Sequence, residues 1–163
     1  MRRLFASGMV VFAGMVSVPA DTPQHPASSQ PAPKPAPDYR DDPRIENLTR
    51  FFHKSACPAE RYSAEFLKAA DANGLDWRLL PSLSFVETTG GKGAHNNNLF
   101  GWDSGRAHFP SPADGIYAVG YQLRHSSVYK NKKLDTLLAI YNPGAEQYAE
   151  KVKSIMRQIS PTQ

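Results

Sequence analysis

The sequence predicts a mainly α domain with one small β-hairpin beside a groove. Three observations carry this. Apolar residues recur at helical spacing through most of residues 43–163. Helix-ending and helix-starting residues punctuate those runs at Asn73-Gly74, Ser111-Pro112 and Asn142-Pro143-Gly144. Only residues 90–110 lack a helical period, and there glycines, asparagines and short apolar runs gather.

Two segments precede the domain. Residues 1–20 read as a secretory signal peptide: Arg2 and Arg3, an uncharged run from Leu4 to Val18, then Val18-Pro19-Ala20 as a cleavage site. The run is shorter than the ~20 residues of a bilayer span, so no stable membrane insertion is expected after its removal, and the protein is expected to be periplasmic or extracellular. Residues 21–42 are rich in Pro, Ala, Ser and Gln around PAPKPAP, and carry too little apolar surface to repay ordering. They are expected to be an extended linker, with Tyr39 the residue best suited to lie on the domain.

The domain itself has about 120 residues, enough for one core. Ile45, Leu48, Phe51 and Phe52 mark a first helix. Pro58 suits the first turn of a second, with Tyr62, Phe66, Ala69 and Ala70 on its apolar face and Asn73-Gly74 at its end. Asp76 is the expected N-cap of a third helix running to about Thr88, with Leu79, Leu80, Leu83 and Val86 inward. Leu99–Trp102 and Ala107–Phe109 are expected to pair as the hairpin around Asp103-Ser104-Gly105. Ser111 caps a fourth helix, Pro112 takes its first position and Asp114 faces its positive end; Ile116, Val119, Tyr121 and Leu123 follow. A short helix from Leu134 ends at Tyr141. A last one carries Tyr148, Val152, Ile155 and Ile159 as a core stripe.

Composition excludes several functions. Without Arg2 and Arg3 the chain has 17 basic against 15 acidic residues, too even a balance to argue for nucleic acid. One cysteine, Cys57, permits neither an internal disulfide nor a cysteine metal site, and is read as a buried structural thiol. The five histidines are scattered without HExxH spacing, so no metal and no cofactor is expected. Ser82 and Ser84 lack a nucleophile-elbow setting, and GGKG lacks the Ser/Thr of a phosphate loop. Lys130, Lys132 and Lys133 form a basic cluster read as a solvated turn, with contact to an anionic polymer as the alternative.

The stretch FVETTGGKGAHNNNLFGW, Phe85 to Trp102, holds the candidate chemistry. Glu87 closes the most apolar helix. Cleaving a glycosidic bond needs a carboxylic acid that keeps a proton near neutral pH and yields it to the leaving oxygen. Desolvation beside the negative end of a helix favours such a state. Gly90, Gly91 and Gly93 let the backbone turn beside it. Asn97 and Asn98 offer donors and acceptors for sugar hydroxyls and acetamides, and Phe100 and Trp102 offer rings for stacking. Asp103, on the expected hairpin, is the candidate second carboxylate and equally a turn residue.

VETTGG followed by NNLFGW, with AIYNPGAEQYAEKVKSIM further on, resembles the β-N-acetylglucosaminidase family of the lysozyme-like superfamily. The last segment also resembles the tyrosine-asparagine-glycine part of lytic transglycosylases. The resemblance covers about Leu75 to Ile159. It implies an α+β lysozyme-like fold and a monomeric enzyme acting on peptidoglycan glycan strands. It implies Glu87 as general acid, Tyr141 bordering the groove with Asn142 beside it, and Asn98 to Gly101 shaping the groove wall. Trp102 stands where the family often has an aliphatic residue. If Glu87 works alone, a sugar's own 6-hydroxyl can replace water and leave an anhydro end. A wall-binding domain without catalysis is the reading from another class.

Overall fold

The computed structural model describes residues 37–145 and 147–161. The expected signal peptide and linker residues 21–36 lie outside the described residues. The end of the expected linker belongs to the domain. The Tyr39 ring packs on the core, and the Asp42 carboxylate accepts from the Arg44 amide at 2.9 Å as the N-cap of the first helix.

Six α-helices follow: α1 Pro43–Lys54, α2 Ser63–Asn73, α3 Leu79–Thr88, α4 Pro112–His125, α5 Leu134–Tyr141 and α6 Tyr148–Ile159. The mainly α class is therefore observed. Proline-initiated starts account for α1 and α4, because proline gives up only an amide that the first turn leaves unbonded. Ser111 Oγ accepts from the Asp114 amide at 3.1 Å, capping α4 as its sequence predicts. The second expected helix divides in two: Pro58–Tyr62 forms a 3₁₀ turn before α2, which ends at Gly74 in the left-handed conformation. The third starts later than expected. The Asp76 carboxylate is spent on the Arg78 amide at 2.9 Å, which closes a turn ahead of α3.

The expected β-hairpin is not formed. No strand occurs among the described residues, and one isolated bridge joins His95 to Asn98. The reason is local backbone geometry. Asn96, Asn97, Gly101, Asp103, Ser104 and Gly105 all take positive φ, which interrupts any extended run. In place of a ladder the arms are held by the Asn98 side chain and by single backbone bonds such as Ala107 N–H to the Trp102 carbonyl at 3.3 Å.

The core gathers Leu48 and Phe52 of α1, Phe66 and Leu67 of α2, Leu80 and Leu83 of α3, and Phe100 from the loop. Phe66 links Phe52, whose ring centroid is 5.6 Å away, to Phe100 at 6.2 Å. α2 lies against α4, and α3 against α6. Burying rings of this size supplies most of the driving force for such a domain. The α6 stripe is Tyr148, Val152, Met156 and Ile159; Ile155 is only half-buried. Tyr121, expected inside, is 57% exposed. Cys57 is buried as expected, and it packs so tightly against Gly90 that a Cβ there would come within 2.8 Å of its own Cβ. No described helix is long and apolar enough to cross a membrane.

Candidate active site

α3 carries Glu87 one residue before its end, so its carboxylate emerges where the helix stops. Two features fix that end. Thr88 is buried, and its hydroxyl donates to the Leu99 carbonyl at 2.8 Å while accepting from the Gly91 amide at 3.0 Å. Thr89 then turns left-handed, with φ +53°, and the Gly90 amide donates back to the Ser84 carbonyl at 3.1 Å. The loop is thereby pinned across the helix end, and a cleft of about 490 Å³ opens between them.

Glu87, Phe100, Gly101, Trp102, Asp103, Tyr129, Tyr141 and Asn142 line this cleft. Three aromatic rings make its wall: Trp102 lies 5.8 Å from Tyr141 and 6.0 Å from Tyr129, centroid to centroid. Glu87 is half-buried, and its Oε1 accepts from the Tyr148 hydroxyl at 2.6 Å. Its Oε2 lies toward Gly101, where a Cβ would come within 3.3 Å of it and where φ is +58°. Glycine at that position leaves the second oxygen room to meet a ligand.

The two tyrosine hydroxyls are differently committed. Tyr141 donates to the Phe100 carbonyl at 2.9 Å, tying α5 to the loop. Tyr148 donates to the acid itself, its ring stacked on Tyr141 at 6.0 Å and 9°. Burial, and then the nearby Glu87 carboxylate, hold both phenols above the ordinary tyrosine range, so both remain protonated donors.

The other expected site residues separate into two groups. Trp102 and Asn142 stand in the cleft wall. Asp103 reaches its rim, but its carboxylate is paired with Arg106 at 2.6 Å, and that bond lowers its pKa below the usual carboxylate range. Phe100 lines the cleft yet is only 1% exposed, its ring packed edge-on against Phe66, so it offers no stacking face. Asn98 is 2% exposed and does not line the cleft. Its amide donates to the carbonyls of Trp102 and Ala107 at 3.0 and 3.3 Å and accepts from the amides of Trp102 and Phe100 at 2.9 and 3.3 Å. Asn97 is exposed outside the cleft and donates to the carbonyls of Phe109 and Pro110 at 2.9 and 3.2 Å. Both asparagines build the loop, Asn98 buried behind the cleft and Asn97 at the surface outside it, so neither lines the cleft as the substrate-binding expectation would place it.

Tyr148 and Tyr129 were missed. Tyr148 reads in the sequence as one more core position, and its polar tip was the available signal: a buried tyrosine hydroxyl needs a partner. Tyr129 sits among serines and lysines, where an aromatic residue stands out.

Among the described residues, no group of three or more His, Cys, Asp or Glu side chains is gathered as metal ligands would be. A surface hollow of about 730 Å³ along α1 is lined by charged side chains of both signs and shares no residue with the Glu87 cleft. The cleft offers a ring-shaped ligand the Glu87 carboxyl group, an aromatic wall and the Asn142 amide. Neither a scan against protein-family models nor a search of curated proteins finds a match to this chain.

Proposed function

We propose that the protein is an exported peptidoglycan-cleaving glycosidase, of the endo-β-N-acetylglucosaminidase or lysozyme-like kind, with Glu87 as general acid. One observation carries the reading: a single helix-end glutamate, one oxygen held by Tyr148 and the other free, faces a cleft walled by Trp102, Tyr129 and Tyr141. Aromatic walls suit the apolar faces of sugar rings, and the Asn142 amide suits their acetamides. In the reaction, Oε2 gives its proton to the glycosidic oxygen as the C1–O bond breaks. The resulting carboxylate then takes a proton from whichever hydroxyl attacks C1, which restores the acid.

The pairing of Asp103 favours a second reading for that attack. Glu87 and Asp103 are the two carboxylates of the cleft lining, and Arg106 occupies Asp103. Where no second acid acts, a sugar's own 6-hydroxyl takes the place of an activated water. Its attack on C1 closes an anhydro ring, the product of a lytic transglycosylase.

The test is a digest of purified wall sacculi, read by mass spectrometry beside a Glu87→Gln control. Soluble muropeptides from the wild type alone support the assignment. Reducing ends identify hydrolysis, and anhydro ends identify transglycosylation. Release by the folded control as well removes Glu87 from the mechanism. Sedimentation with sacculi and release by neither protein points to a wall-binding module.

A further inference from the structure

Tyr129 has two faces at work. One lines the Glu87 cleft, and the residue also lines a second pocket of about 270 Å³ between the end of α2, the C-terminal half of α4 and the start of α5. Leu79, Leu123 and Leu137 form the buried part of its wall, with Leu75 and Leu134 half-buried beside them. Arg124 and Lys132 stand exposed at its rim. The one acidic side chain there, Asp76, is neutralised by Arg78 at 2.6 Å. Among the described residues, neither Arg124 nor Lys132 is ion-paired. The pocket is thus an apolar hollow with uncompensated positive charge at its mouth, and it shares one lining residue, Tyr129, with the cleft.

We propose that this pocket takes a short acidic peptide branch of the same glycan substrate, its carboxylates on Arg124 and Lys132 and its alanine-sized side chains on the leucines. The inference rests on the glycan-cleaving reading of the Glu87 cleft. Peptidoglycan carries such branches on alternate sugars, so a strand lying in the cleft projects a peptide to the side. The pocket across Tyr129 meets that projection with the complementary charge and an apolar floor. Guanidinium and ammonium groups bind carboxylates through charge-assisted bonds, which are stronger than neutral ones. This assigns the basic turn around Lys132 a ligand, where the sequence shows only a run of lysines.

The experiment titrates the isotopically labelled full chain with a synthetic N-acetylated alanine–glutamate–alanine peptide, which carries two carboxylates and no ammonium group, and follows backbone amide shifts. Saturable shifts are expected at Gly74, Leu75, Lys132 and Leu134. The double variant Arg124→Glu, Lys132→Glu alters two exposed positions and should weaken binding about tenfold or more, as should amidating the peptide's carboxylates. Raising salt should weaken binding in the wild type. Binding that ignores the charge reversal, or shifts absent from this pocket, overturns the proposal. Shifts there that depend on protein concentration without peptide assign the pocket to a second copy and overturn it too. Sacculus digestion run in parallel separates the two readings. Cleavage without peptide binding keeps the Glu87 assignment and removes this one; peptide binding without cleavage removes the Glu87 assignment and, with it, the branch of a cleaved glycan as the occupant.

Discussion

The Tyr148 hydroxyl is one atom whose removal can be tested without moving its ring. Tyr148→Phe keeps the stack on Tyr141 and deletes the 2.6 Å donor to Glu87. A hydrogen bond to the protonated acid contributes about 0.5–1.5 kcal/mol, so kcat should fall about two- to tenfold if that bond positions the acid. KM should change little, since Tyr148 does not line the cleft. Steady-state rates on solubilised glycan strands measure both; a change in KM alone would contradict the positioning role. A second residue-scale comparison sets Asn98 against Asn97. Asn98→Ala leaves several buried loop groups without partners, at about 1–3 kcal/mol for each that water cannot reach. It should lower unfolding free energy by about 2–3 kcal/mol in denaturant titration, and Asn97→Ala, at the surface, by well under half of that. Glu87 was legible in the sequence because a charged residue closing an apolar helix stands out. The asparagines were misread because an amide that binds backbone and an amide that binds sugar have the same spelling.

At the scale of elements, the end of α3 carries stored strain. Thr89 is exposed and β-branched, yet holds φ +53°, where glycine is the favoured residue. Thr89→Gly should therefore raise stability by about 1 kcal/mol, visible as a higher denaturant midpoint at unchanged slope. A midpoint that falls would show that the threonine side chain contributes contacts its exposure does not suggest. The helices were readable because their period, prolines and caps agree with one another. The loop was not. Alternating apolar residues at Leu99–Trp102 and Ala107–Phe109 satisfy a strand template, but the template does not register that Asp103 and Ser104 will turn left-handed. It also does not register that Asn98 will supply the bonds a ladder would have made. α3 began late for a similar reason, since Asp76 capped its own turn first.

For the molecule as a whole, the buried phenols set an alkaline limit. Tyr141 and Tyr148 keep their protons above the ordinary tyrosine value of about 10, because burial first, and the Glu87 carboxylate next, disfavour phenolate. Above that pH the unfolded chain releases these protons while the folded chain retains them. The unfolded state then binds fewer protons, so stability falls as pH rises; below it, the contribution is fully present. Urea midpoints should decline beyond about pH 10, and less steeply in Tyr148→Phe. An equal decline in the variant would place the titrating group elsewhere.

The pairing of Glu87 with Tyr148 also joins positions 61 residues apart in the chain. A polypeptide is made and threaded from its N-terminus, so the acid exists before its donor does. At about 5–20 residues per second, synthesis alone separates them by roughly 3 to 12 seconds. If the proposed reaction holds, a glycan-cutting chain is without its positioned acid for that interval. Only a chain translated into its last helix is armed, and activity followed during timed synthesis would show the lag.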